Sequence, residues 1–165
     1  MSELNPYEKY LDGRPLESIL SSTAHAVANQ LQIIGPDHSG LAPAPGKWSP
    51  AEIVAHLADC ELAFGFRLRQ TLAEDRHVMQ PFDQDLWSAN YAGISATEAL
   101  SAFSALRSWN LQLINKTLQK SGDKVVSHPE RGTMTFRTIV ETMAGHDLNH
   151  LGQLQKIGKD VHASA

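Results

Sequence analysis

The sequence predicts an all-α domain, a four-helix bundle with a long crossover between the second and third helices. Three observations lead there. Four separate stretches repeat apolar residues at steps of three and four, the spacing that gathers them on one face of a 3.6-residue helix. Serine or threonine caps open the later three, and glycine marks their ends or the start of a linker. No stretch carries a convincing period-two strand pattern. At 165 residues the chain has room for one domain with a full core, residues 1–165, and is too short for two ordinary ones.

After a short polar leader containing Tyr7 and Tyr10, a turn at Asp12-Gly13-Arg14-Pro15 precedes the first helix, residues 15–35. Its stripe is Leu16, Ile19, Leu20, Ala24, Val27, Leu31 and Ile34, and Gly35-Pro36 ends it. His25 falls opposite the stripe and reads as exposed, and His38 lies in a linker rich in Pro, Gly and Ala. The second helix, residues 49–74, opens with Ser49 as N-cap, Pro50 in the first helical position and Glu52 closing a capping box. Ile53, His56, Leu57, Cys60, Ala63, Phe64 and Arg67 share its inward face. Residues 75–95 hold Pro81, Gly93 and the aromatic piece from Phe82 to Trp87, and read as the crossover with room for one helical turn. Ser95 and Glu98 suggest a second capping box for the third helix, residues 96–121, whose face includes Leu100, Phe103, Leu106, Leu113, Ile114 and Leu118. Asn110 falls within that face and reads as a satisfied core amide. A loop with a strand-like turn follows. Thr135 then caps the fourth helix, residues 136–157, and the tail after Gly158 reads as loose.

Composition narrows the function classes. A formal charge of −4 and a pI near 6 give no electrostatic footprint for a polyanion, so nucleic acid is not an expected partner. The single cysteine, Cys60, rules out an intrachain disulfide, and residues 1–6 lack the basic and apolar regions of a signal peptide. A cytoplasmic setting is the expectation. No apolar run approaches the length needed to cross a bilayer, so no membrane partner is expected either.

The chemistry is concentrated in Gly145-His146-Asp147-Leu148-Asn149-His150-Leu151-Gly152-Gln153. Histidines four apart on a helix project one turn above each other, so both imidazoles can reach one ion. Eight histidines in the chain make a chance pair easy to produce, but His56 faces inward on another helix. Three imidazoles on core-facing edges of two helices are harder to explain as unrelated core residues, and with open remaining positions they match a reactive metal site. Zinc or nickel suits such a set first, and iron, manganese or copper also fits.

The neighbours have rival readings. Asp147 directly after His146 suggests the His-Glu-x-x-His metalloprotease helix, but aspartate is shorter than the required glutamate. Asp147 therefore reads either as a residue that orients a ligand or as half of an interhelical ion pair. Gln153, one turn below His150, is placed to hydrogen-bond a bound water or to sit as a plain edge residue. Cys60 invites a thiolate role, yet its default is a small buried apolar side chain. Arg67 has the length to anchor a substrate carboxylate, with snorkelling or pairing to Asp59 or Glu61 the expected alternative.

Two blocks carry a family resemblance: Trp48-Ser-Pro-Ala-Glu-Ile-Val-Ala-His56-Leu-Ala-Asp59-Cys-Glu61, and Gly145 to Gln153 about ninety residues later. Together they resemble the DinB-like (YfiT-type) metal-dependent bundle superfamily from the first helix to Ile157. The resemblance implies a four-helix bundle holding a divalent metal through one histidine of the second helix and two of the fourth, here His56, His146 and His150. It also implies a bacterial, cytoplasmic, often dimeric protein, with branches that include thiol-dependent S-transferases and a thiol-dependent maleylpyruvate isomerase. The leading expectation is thus a metal-dependent S-transferase joining a low-molecular-weight thiol to a small electrophile. A metal-binding bundle without turnover and a metal-dependent hydrolase are the alternatives, since all three need the same ligands.

Overall fold

The computed structural model describes residues 4–163; residues 1–3 of the leader and 164–165 of the tail lie outside the described residues. A 3-10 turn at Glu8–Tyr10 precedes α1 (Leu16–Ile34) and the short α2 (Pro36–Ser39). Then come α3 (Pro50–Ala73), α4 (Gln84–Ser88), α5 (Ala96–Ser121), the hairpin strands β1 (Val125–His128) and β2 (Gly132–Thr135), and α6 (Phe136–Ala163). The bundle is formed by α1, α3, α5 and α6.

The local signals act as read, with instructive differences. Ser49 and Glu52 close a full capping box on α3, Ser49 N donating to Glu52 Oε2 at 2.7 Å. At α5 only half the box forms: Ser95 Oγ accepts from Glu98 N at 3.3 Å, with no return bond. Gly35, at φ 80°, ends α1, and Pro36 immediately starts α2 inside what reads as a plain linker. Thr135 caps α6 by accepting from Thr138 N, and it is also the last residue of a true hairpin, with Val125 opposite Thr135 and His128 opposite Gly132.

The fourth helix does not stop at Ile157. It runs to Ala163, and Gly158 within it serves a close contact between helices: a Cβ there would meet Ile33 Cγ2 of α1 at 3.2 Å. The chain after Gly158 is helical to Ala163, not the loose tail expected.

Two core clusters give the direction of each helix. One gathers Ile19 and Leu20 of α1, Leu68 of α3, Ile114 and Leu118 of α5, and Phe136 and Ile139 of α6. The other gathers Val27 and Ile34, Ile53 and Leu57, Ala99 and Phe103, and Leu154 and Ile157. Reading each helix from one cluster to the other, α1 and α6 run one way while α3 and α5 run the other. The neighbours are α3 with α5, α1 with α6, α1 with α5 and α3 with α6. Helices consecutive in the chain are therefore diagonal at both short connections, α1 to α3 and α5 to α6. Parallel neighbours α3 and α5 require the chain to return along the bundle, which explains the long segment between them: α3 is 24 residues, roughly 36 Å at the helical rise. The return is fastened at both ends. Met79 N donates to Ser127 O of β1 at 2.8 Å, and the Tyr91 hydroxyl donates to Asp59 Oδ2 at 2.8 Å.

Candidate metal centre

Between the two apolar clusters lies a buried polar layer, and its first half is made of imidazoles. The capped start of α3 fixes which residues face inward, and His56 is one of them at 1% exposure. His146 and His150 lie one turn apart on α6 and are equally buried. Because α3 and α6 are antiparallel neighbours, the three rings meet at mid-height. One nitrogen of each lies within 4.8 Å of the others, and His56 Nε2 stands 2.9 Å from His146 Nε2.

Burial keeps these rings neutral. It lowers His56 to about 3 with help from the charge of His150, and it holds His146 well below the ordinary value, reinforced by His150, His56 and Arg107. Burial also lowers His150, opposed by a hydrogen bond to Gln153 and by the Asp147 charge. A neutral imidazole offers a lone pair, so three depressed values mean three ligand-ready nitrogens at neutral pH. On a tetrahedral ion with Zn–N near 2.0–2.1 Å, ligand nitrogens stand roughly 3.3 Å apart, within the spread seen here. The residues fit a divalent transition metal.

The surroundings fix the rings. His150 Nδ1 lies 3.0 Å from Gln153 Oε1, so Gln153 orients a histidine directly and leaves Nε2 to face inward. Trp48 covers His56 and His150, with ring centroids 4.7 and 6.2 Å away, while Phe64 stands 6.0 Å from His146. Tyr7 meets the edge of His146 at 5.0 Å. It comes so close because residue 145 is glycine: a Cβ there would collide with the Tyr7 carbonyl oxygen and approach its Cβ at 2.8 Å. Cys60 Sγ sits 3.4 Å from His56 Nε2, and burial, then Asp59, pushes its thiol up, away from thiolate. The buried, protonated cysteine is the default reading.

The second half of the layer is ionic. Arg107 of α5 donates to Asp147 Oδ2 at 2.6 Å and Oδ1 at 3.0 Å, to Glu61 Oε2 at 2.8 Å, and to the Leu20 carbonyl at 3.0 Å. Asn110 Nδ2 donates to Glu61 Oε1 at 2.8 Å, while Asn110 Oδ1 accepts from Arg69 at 2.6 Å. Burial alone would lower Arg107, but the charges of Asp147 and Glu61 hold it above its ordinary value. Arg69, Arg107, Glu61 and Asp147 balance in charge across three helices.

Of the two readings for Asp147, the structure has the ion pair: both carboxylate oxygens go to Arg107. It is not available to activate water as a metalloprotease glutamate would. Arg67 pairs with neither Asp59 nor Glu61; it donates to the Gln80 carbonyl at 3.0 Å and lies over Phe82 at 5.4 Å. Sequence reading missed Arg107, whose only signal was a cation at a position of α5 that the helical period turns inward.

The model of the DinB superfamily matches residues 20–154. The chain is 24% identical over 115 residues to a "putative metal-dependent hydrolase" of Oceanobacillus iheyensis, an alignment covering 69% of this chain and 67% of that protein. It is 21% identical over 111 residues to a second protein so named from the same organism, covering 67% and 64%. Among solved structures, YfiT from Bacillus subtilis, described as a "probable metal-dependent hydrolase with an unusual four-helix bundle topology", superposes with a TM-score of 0.80 at 16% identity, over 88% of this chain and 85% of that one. The superposition shows a shared four-helix fold.

Proposed function

The chain belongs to the DinB superfamily, and from that premise we propose that His56, His146 and His150 hold a divalent transition metal and that the protein joins a small-molecule thiol to a small electrophile. A bound ion of this kind supplies Lewis acidity, lowering the pKa of the group that enters its open position. The residues of the chain do the rest. Gln153 fixes the tautomer of His150, burial keeps all three imidazoles unprotonated, and Trp48, Tyr7 and Phe64 wall the site against bulk water. In the reaction the thiol gives up its proton to solvent, sulfur forms a bond to the electrophilic carbon, and the leaving group departs as an anion with the electron pair of the broken bond.

The observation that carries the reading is that the acids around the centre are committed. Asp147 and Glu61 are held by Arg107, and Asp59 accepts from Tyr91. Hydrolysis calls for a positioned group that takes a proton from water and returns one to the leaving group, whereas a thiol needs only to lose its proton. The hydrolase reading is kept because the two Oceanobacillus relatives and YfiT carry that description.

The test is a screen of small thiols against electrophiles on purified protein, alongside ester and amide substrates without thiol, with metal content measured on each sample. Thiol-dependent product that disappears with the metal supports transfer. Product formed equally without thiol replaces that reading with hydrolysis, and turnover by metal-stripped protein removes the metal centre.

A further inference from the structure

We infer that Arg67 and Arg131 form an anion subsite beside the histidine centre, which receives a carboxylate carried by the small-molecule substrate. The inference rests on the proposed thiol-and-electrophile reading for the other end of that molecule. The two arginines come from distant elements, α3 and the hairpin turn, and line one narrow cavity with Phe64, His128 and Thr142. Its volume of about 20 Å³ holds little more than one water, so only a small terminal group can enter it. Phe64 is shared with the centre, its ring lying against His146.

The charges on the cavity wall are one-sided. Neither Arg67 nor Arg131 takes part in an ion pair among the described residues. Arg67 places one donor on the Gln80 carbonyl, out of the five a guanidinium carries. His128 adds a further donor: its Nδ1 accepts from Glu130 N at 3.2 Å, so the neutral ring carries its proton on Nε2. Burial, then the charges of Arg131 and Arg67, keep that ring neutral, with Glu130 the acid that opposes them.

Two cations facing one small space repel each other, and an anion between them relieves the repulsion while accepting charge-assisted hydrogen bonds. The larger groove of about 550 Å³ lined by Trp48 and Gln153 has no such preference, since Lys47 and Lys156 share it with Asp85 and Asp160. The fields of the two arginines also reach the flanks of the centre: Arg67 acts on Cys60 and Arg131 on Tyr7. Along α3 the Cα of Arg67 stands roughly 16 Å from that of His56 at the helical rise, so the two recognised groups of the substrate are several bonds apart.

The test uses ω-mercaptocarboxylates, from 3-mercaptopropionate to 6-mercaptohexanoate, against their primary amides. Each is titrated into the cobalt-loaded full chain and followed by the sulfur-to-cobalt charge-transfer band. At least one chain length should bind about tenfold more tightly as acid than as amide. Arg131→Gln should abolish that preference by weakening acid binding far more than amide binding, while Arg131→Lys should keep part of it; circular dichroism confirms that both variants are folded. Acids and amides binding equally at every length would overturn the subsite and leave the thiol reading standing. An independent arm titrates propionate into metal-free protein and follows the arginine Nε–Hε resonances. Shifts that vanish in Arg131→Gln, with no thiol band in the cobalt protein, would keep the subsite and remove the thiol reading. No shifts and no acid preference would remove the subsite.

Discussion

The two halves of the buried polar layer lie at the same depth in the bundle and differ in one respect. In the Arg107 half two carboxylates, two guanidinium groups and an amide exchange hydrogen bonds across α3, α5 and α6, with Arg107 Nε the one buried donor there left without a partner among the described residues. The histidine half holds neutral rings in place of paired charges. Two imidazole nitrogens face each other at 2.9 Å, and at most one of them carries the proton for a bond between them. A charge-paired network reads as architecture and a cluster of neutral lone pairs as a site.

The largest expected effect comes from breaking the charge-paired half. Arg107→Ala leaves Glu61 and Asp147 buried without their cation, and loss of one partner from such a pair costs about 3–5 kcal/mol. Urea denaturation should show that loss. A change below about 1 kcal/mol would mean that this half is not structural. His56→Ala should act the other way round: bound metal after dialysis falls by more than the roughly 10–100-fold in affinity that loss of a ligand's supporting hydrogen bond alone costs. Its melting shift in metal-free protein should be small beside that of Arg107→Ala. Full metal stoichiometry in His56→Ala would remove the three-histidine site.

Titration sharpens the contrast, because burial depresses all three histidines. The unfolded chain takes up protons near pH 6.5 and the folded chain only well below, so the folded state binds fewer protons and loses stability as pH falls. Metal-free protein should therefore keep its full stability above about pH 6.5 and lose it progressively toward about pH 3, the window set by His56. His56→Ala should flatten that slope. An unchanged slope in the variant would show that the histidine half does not control acid stability.

The smallest effect is expected at Cys60, which touches His56 but has its thiol held protonated by burial. Cys60→Ala should cost about 1 kcal/mol, the ordinary value for a small buried truncation, with metal content intact. Loss of metal in a folded Cys60→Ala protein would place the sulfur in the site after all.

What the sequence determined by itself is what depends on neighbours within a few residues. Apolar spacing, the Ser49 to Glu52 box and the Gly35-Pro36 stop are local signals, so four helices and their inward faces were legible, and with them the inward placement of His56, His146 and His150. The helical period says which way a side chain faces and nothing about what it will face. Arg107 was therefore invisible as the partner of Asp147, the contacts of Arg67 with Gln80 and Phe82 were invisible too, and Gly158 is a seat for Ile33 inside a helix and not the residue before a loose tail. The order of the helices around the bundle and the meeting of Arg67 with Arg131 were decided by tertiary packing. These contacts join residues tens of positions apart, whose encounter is set by the summed burial of two apolar clusters and by no single local preference.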